Sequence, residues 1–102
     1  MIIGDPKGVA YLDKKKLSEK QITDLINQIS NHFHHPRPQI IFRYNHTKKY
    51  GTAYIDTNKI SINYPKGFTV GTVIHEMAHI IESNDNHGND FKATYYKILL
   101  II

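Results

Sequence analysis

Apolar residues recur at helical spacing in the first third of the chain. Just before them, Ser18 and Gln21 have the spacing at which each side chain can bond a free backbone amide at a helix start. The apolar stripe that follows consists of Ile22, Leu25, Ile26, Ile29 and Phe33. It predicts a helix over about 18–33, which Pro36 and Pro38 would end. For residues 1–17, which carry Gly4, Pro6 and Gly8, we expect an irregular arm or one short strand.

The middle of the chain changes to short segments rich in β-branched and aromatic residues, which are typical of strands. The predicted strands cover residues 39–44, 51–56 and 59–64. In the third strand Ile60, Ile62 and Tyr64 alternate with polar residues, which predicts a strand buried on one face. The last two strands flank Thr57 and Asn58, and this arrangement predicts a β-hairpin.

A second helix is predicted over residues 69–83, and it is apolar around most of its circumference. Such a helix packs in the centre of a domain and not on its surface. Its polar residues share one stripe, at spacings of three and four: Thr72, His75, Glu76, His79, Glu82 and Ser83. Because buried polar side chains need partners, this stripe is the part of the pattern that requires an explanation.

A third helix is predicted over about 89–100, after a turn at 84–88, with Phe91 facing the core. The order α-β-β-β-α-α indicates an α+β fold with three helices and a small, mostly antiparallel three-stranded sheet. A chain of 102 residues favours one domain, so we expect residues 1–102 to form a single unit.

Composition limits the chemistry. The chain has no cysteine, which excludes disulfides, thiolate metal ligands and a cysteine nucleophile, but it has seven histidines. Neither a signal peptide nor a membrane-spanning apolar run is found, so we expect a cytoplasmic protein without a membrane partner. The net charge of +4 is spread in small groups and allows an acidic partner such as nucleic acid, although no base-reading motif is present.

The polar stripe of the second helix has the form of a metal site. His75 and His79 are four residues apart, so both imidazoles project from one helical face and can bind one metal ion. Glu76 lies beside that face, where its carboxylate can reach a metal-bound water. Zn²⁺ suits this donor set and needs three protein ligands in an open catalytic site.

His87 is the candidate for the third ligand. Gly88 is expected to allow a tight turn into the third helix, and Phe91 to pack that helix on the core and so fix His87. Glu82 and Asp90 are alternatives, either as ligands or as hydrogen-bond acceptors for the imidazole N–H groups.

HEMAH at 75–79 followed by HGNDF at 87–91 resembles the SprT-like zinc metalloproteases, which include the Spartan proteases that act on DNA–protein crosslinks. YGTA at 50–53 and KISIN at 59–63 are similar to the hairpin that precedes the active helix in that family. The resemblance covers about 18–100. It implies a zincin-like domain in which His75, His79 and His87 bind zinc and Glu76 is the general base.

The resemblance is closer for the protease core than for a role on DNA. The connection between His79 and His87 is short, and without cysteine the chain has no zinc ribbon of the kind that many family members place after the protease domain. A compact minimal zincin is therefore the expected form.

The leading functional hypothesis is a zinc-dependent endopeptidase that cleaves protein or peptide substrates with a zinc-bound water activated by Glu76. An extended peptide is expected to add to the edge of strand 51–56. The alternatives are a basic nucleic-acid or protein-binding module with a structural zinc, and a zinc hydrolase of another kind, such as an amidase. Candidate transition-state stabilisers are Tyr54, Tyr95 and Tyr96, although packing roles fit each of them better.

Overall fold

The computed structural model describes residues 16–44, 48–84 and 87–102, so the predicted arm at 1–17 lies almost entirely outside the described residues. The predicted order α-β-β-β-α-α and the α+β class are confirmed. The elements are α1 (Glu19–His32), β1 (Gln39–Arg43), β2 (Gly51–Tyr54), β3 (Lys59–Asn63), α2 (Val70–Ile81) and α3 (Asn89–Leu99). Each predicted segment therefore corresponds to one element, which is shorter than predicted by at most two residues at either end.

The first helix begins as the sequence predicts. Gln21 donates its backbone N–H to the Ser18 hydroxyl at 3.1 Å, and Ser18 donates its own N–H to the Gln21 side chain at 2.8 Å. The apolar stripe is buried, with Ile22, Ile26 and Ile29 in the core. The capping box and the stripe together fix both the start of α1 and the face that it packs inward.

The sheet is mixed. Its strand order is β1-β3-β2, with β1 parallel to β3 and β2 antiparallel to β3. The predicted hairpin of β2 and β3 is confirmed, but only one of the two strand pairs is antiparallel. The reason is that β3 turns back from β2 and lies between β2 and β1. In this position β3 runs in the same direction as β1.

The third strand is the centre of this sheet, and that position changes its burial. The alternating pattern predicts burial on one face, whereas Ser61 and Asn63 are buried as well as Ile60 and Ile62. The half-buried expectation is therefore wrong, since residues on both faces of this strand are buried. Asn63 meets the cost of burying its amide in part by donating from Nδ2 to the Lys49 carbonyl at 3.1 Å.

The second helix is central, as its composition predicts. Val73, Ile74, Met77 and Ala78 lie in the hydrophobic core, and α2 packs against α1, α3, β2 and β3. Thr69 caps its start by accepting the Thr72 backbone N–H at 3.3 Å. No helix in the described ranges is long and apolar enough to cross a bilayer.

A close backbone crossing holds the segment that leads into α2. At Gly67, an added Cβ would lie 1.9 Å from the Tyr50 carbonyl oxygen and 2.7 Å from that of Asn63. Gly67 also donates its backbone N–H to the Asn63 carbonyl at 2.7 Å. The chain can therefore pass here only because residue 67 has no side chain, and the crossing fixes where α2 starts relative to the hairpin.

Replacing that glycine tests the crossing. We expect Gly67→Ala to lower the free energy of unfolding by about 3 kcal/mol, the upper end of the usual range for overpacking, because the obstructing atoms are backbone and cannot rotate away. Chemical denaturation measures the change. The control is Lys66→Ala at the exposed neighbouring position, where a change within about 0.5 kcal/mol is expected. Equal stability of the two variants would contradict the account of this crossing.

Candidate metal centre

Two of the predicted ligands lie on the one face of α2 that is not packed in the core. His75 and His79 are half-buried, and their ring centroids are 4.9 Å apart in an edge-to-face arrangement. Four residues along a helix bring side chains onto one face, one turn apart. Since the neighbouring faces of α2 are buried, both rings are directed to the same open side.

The third predicted ligand joins them from the turn before α3. The Nε2 atoms of His87 and His75 are 3.2 Å apart, and the ring centroids of His87 and His79 are 4.5 Å apart. His87 has a φ of 67°, a left-handed conformation that is uncommon for a residue with a side chain. Such conformations cost about 1–3 kcal/mol and concentrate at functional sites.

The turn into α3 has its unusual backbone conformation at His87 and not at the glycine that follows. Gly88 is the N-cap of α3, and its φ of −86° and ψ of −160° are extended values that any residue adopts. The strain therefore lies in the residue whose imidazole completes the cluster.

Phe91 packs in the core, as the sequence predicts, and its ring also contacts all three imidazoles. Its ring centroid lies 5.3 Å from that of His75, 4.5 Å from His79 and 4.9 Å from His87. The side chain is only 3% exposed, so α3 anchors it in the core. Phe91 thus supports each ring from the apolar side and restricts the positions that the three nitrogens can take.

The three histidines fit a tetrahedral metal ion. One nitrogen from each ring can be chosen so that all lie within 4.8 Å of one another. With zinc–nitrogen distances of about 2.0–2.1 Å, tetrahedral ligands lie about 3.3–3.4 Å apart. The 3.2 Å between His75 and His87 is close to that value. The cluster can therefore hold a metal ion.

Neither alternative third ligand belongs to this cluster in the part of the chain that the structure describes. Glu82 ends α2, and its Oε1 accepts the Asn84 backbone N–H at 3.4 Å. Asp90 is exposed in the first turn of α3. The three-histidine group thus forms without a carboxylate.

Burial keeps His75 and His79 in the state that binds a cation. The pKa of His75 is lowered to about 4, mainly by desolvation and to a smaller extent by the nearby His79 and His87 rings. Desolvation also lowers the pKa of His79, with a smaller contribution from His87. These two imidazoles are therefore neutral near pH 7, and neutral imidazole is the form that binds metal ions.

Glu76 lies next to the cluster in a buried position. Its side chain is 7% exposed, and burial raises its pKa to about 7. A nearby divalent cation favours the ionised carboxylate, so a bound metal would act against this effect of burial. The proton affinity of the Glu76 carboxylate therefore depends on whether a metal ion is bound beside it.

The cluster opens into a cleft of about 520 Å³ between α2 and the edge strand β2. One wall is formed by Gly51, Thr52, Ala53 and Ile55, and the other by His75, Glu76 and His79. A Cβ on Gly51 would meet the Ser61 carbonyl oxygen at 2.7 Å and Glu76 Cγ at 3.4 Å. The strand can therefore approach the carboxylate this closely because residue 51 is glycine.

The sequence predicts the residues of the helix wall of this cleft, His75, Glu76 and His79, but only part of the strand wall. It predicted 51–56 as the peptide-binding strand but did not single out Thr52, Ala53 or Ile55. The three candidate tyrosines do not line the cleft. Tyr54 is exposed, Tyr95 is buried against Phe91 with ring centroids 6.2 Å apart, and Tyr96 is half-buried.

Comparison with known proteins agrees with this geometry. The family model described as the SprT-like family matches residues 19–100, which span every helix and strand described above. Searches of curated proteins and of solved structures found no significant match. Since the matched region covers most of the chain and contains all three histidines and Glu76, this chain belongs to the SprT-like family.

Proposed function

We propose that this protein is a zinc-dependent metallopeptidase in which His75, His79 and His87 hold the metal and Glu76 is the general base. One observation carries the proposal: three imidazoles and a buried carboxylate converge on a cleft whose opposite wall is the edge of a strand. Family membership supports a zincin-like domain of the metallopeptidase type.

The residues of the chain divide the chemistry between them. Zinc, when bound, polarises the scissile carbonyl and makes a water molecule more acidic. Glu76 accepts a proton from the attacking water at a carboxylate oxygen and then donates it to the leaving amine. Phe91 and the buried faces of α2 hold the imidazoles in place, so the reacting groups need little reorganisation.

The edge of β2 supports a peptide as the substrate. Among the described strands, β2 pairs with β3 alone, so its other edge is not occupied by a neighbouring strand. An extended peptide can add to such an edge through main-chain hydrogen bonds. Its scissile bond would then run along the cleft past Glu76. The backbone contacts alone would give broad sequence tolerance.

The two alternative functions fit this site less well. A structural zinc is usually closed by four protein ligands, whereas the group found within the described ranges has three and faces a cleft. An amidase acting on a small molecule would have no need of a strand edge along its site. The strand edge therefore favours peptide bonds as the substrate.

Metal binding tests the ligand set. We expect about one zinc ion per chain by elemental analysis, because three-ligand catalytic sites hold one ion. His87→Ala removes one nitrogen of three and should weaken zinc affinity by at least about tenfold, measured by chelator competition. His34→Ala is the control, since His34 also has a positive φ but lies outside the cluster. Unchanged affinity in His87→Ala would exclude this residue as a ligand.

Cleavage of an unfolded protein such as casein tests the general base. Glu76→Gln keeps the size and most of the shape of the side chain but cannot accept the proton, so we expect kcat to fall by about 10² to 10⁴ with zinc content unchanged. Glu82→Gln makes the same change six residues further on, at the C-cap of α2 and outside the cleft, and should leave kcat within about twofold of the parent. Similar rates for the two variants would rule out Glu76 as the base.

A second candidate function, binding of single-stranded nucleic acid, is favoured by one end of the sheet. Tyr44 and Tyr64 are exposed there with ring centroids 5.3 Å apart, and Tyr50 is exposed nearby. The exposed basic residues of this end are Arg43, Lys48, Lys49 and Lys66. Aromatic faces beside a basic surface bind single strands by stacking and by charge. This surface, which we call the tyrosine end, is separate from the histidine cluster.

Fluorescence anisotropy with a labelled oligothymidine tests this candidate. We expect Tyr50→Ala combined with Tyr64→Ala to weaken binding by about tenfold or more, since stacking contributes about 1–3 kcal/mol per base. Tyr54→Ala removes an exposed tyrosine at the far end of β2 and is the control. If the parent does not bind at low salt, or if the double variant binds as well as the parent, the tyrosine end has no such function.

A further inference from the structure

A second hollow of about 270 Å³ continues the cleft beyond the histidines. Its walls are His35, Pro36, Ile55, Asn58, Ile80 and Ser83. Ile55 also lines the main cleft, and Ile80 follows His79 directly on α2. The hollow therefore lies next to the main cleft, and the exposed side chain of Ile55 lines both of them.

The direction of β2 determines which part of a bound peptide would reach this hollow. Gly51, at the start of β2, lies beside Thr72 and Glu76, whereas Ile55, just after its end, lies beside His79 and Ile80. The strand and the helix thus run in the same direction. A peptide that pairs antiparallel to β2 would run the opposite way, with its amino-terminal part towards Ile55 and the hollow.

The spacing of an extended chain gives the position more closely. Strand residues advance about 3.4 Å each, so the four steps from Gly51 to Ile55 cover about 14 Å. With the scissile bond near Glu76, the hollow lies about two to four residues before that bond. Alternate side chains of an extended peptide point to opposite faces, so only one or two of them can turn into the hollow.

The walls select an uncharged side chain with a large apolar surface. Pro36, Ile55 and Ile80 supply the apolar area, and no Asp, Glu, Lys or Arg occurs among the described residues of the lining. A charged side chain would therefore lose hydration there without gaining a partner of opposite charge. The volume corresponds to about nine water molecules at about 30 Å³ each, which is room for one large side chain.

We propose that this hollow is a specificity pocket for a large apolar or aromatic side chain, two to four residues on the amino-terminal side of the cleaved bond. The inference rests on the proposed peptidase function and deepens it, because the strand edge alone would recognise backbone without regard to sequence. His35 and Asn58 stabilise the rim: both donate to the Pro36 carbonyl, at 2.8 and 3.1 Å.

The test is a set of peptides that differ at one position at a time, carrying Ala, Leu, Phe, Lys or Asp. We expect kcat/KM for Phe or Leu to exceed that for Ala by about tenfold or more at one position in the stated window, with Lys and Asp no better than Ala. Ser83→Phe adds a ring at the exposed wall of the hollow and should bring the Phe/Ala ratio close to one. Asn84→Phe adds the same ring at the next exposed residue, outside the lining, and should keep the ratio.

The outcomes separate the pocket from the peptidase. Cleavage that Glu76→Gln abolishes, combined with no preference at any position before the cut bond, overturns the pocket and leaves the peptidase. A ratio that Ser83→Phe does not change also overturns it. Ile55→Ala removes the wall that the hollow shares with the cleft and should also lower the Phe/Ala ratio. If Ser83→Phe does not fold, this variant replaces it, and an unchanged ratio in Ile55→Ala overturns the pocket. If the parent cleaves no peptide, the proposed function fails and the pocket with it.

Discussion

The burial of α2 on all sides but one is the constraint on which the rest of the structure depends. Val73, Ile74 and Met77 are packed in the core, so rotation of the helix about its axis would expose apolar surface and bury imidazoles. The helix is therefore fixed in the one orientation that turns His75 and His79 to the cleft. The same orientation buries Glu76 beside them, with the consequence that its pKa is raised.

Docking of α3 completes the site through a single side chain. Phe91 is a core residue and at the same time the surface on which three imidazoles rest. Packing that stabilises the fold thus also positions the candidate ligands. The left-handed backbone of His87 opposes this arrangement at a cost of about 1–3 kcal/mol, which the packing of α3 must offset and which a bound metal would help to offset.

The sequence was informative where the deciding interactions are local. The capping box at Ser18, the apolar stripe of α1 and the pairing of His75 with His79 depend on residues three or four apart, and all were predicted correctly. The position of Phe91 near His87 was also predictable, because His87 lies in the turn that leads into α3 and Phe91 lies in the first turn of that helix. In these cases the periodicity of the helix converts sequence spacing directly into distance.

The features that were missed depend on contacts between residues distant in sequence. A period of two shows which residues share a face of a strand but not what covers each face, so the burial of Ser61 and Asn63 could not be predicted, nor could the parallel pairing of β1 with β3. Ile55 lines the cleft because β2 packs against α2, which is a contact between distant parts of the sequence. The left-handed backbone of His87 could not be predicted either, because no local pattern in the sequence shows which residue of the turn adopts it.

X-ray absorption spectroscopy at the zinc edge of the purified protein tests the central claim, that these three histidines form one zinc site, most directly. The account predicts three imidazole nitrogens and one further light-atom ligand at about 2.0–2.1 Å, and no sulfur ligand, since the chain has no cysteine. The multiple-scattering features of imidazole count the histidines. A spectrum with two or fewer imidazoles, or with zinc surrounded only by oxygen, would contradict the account.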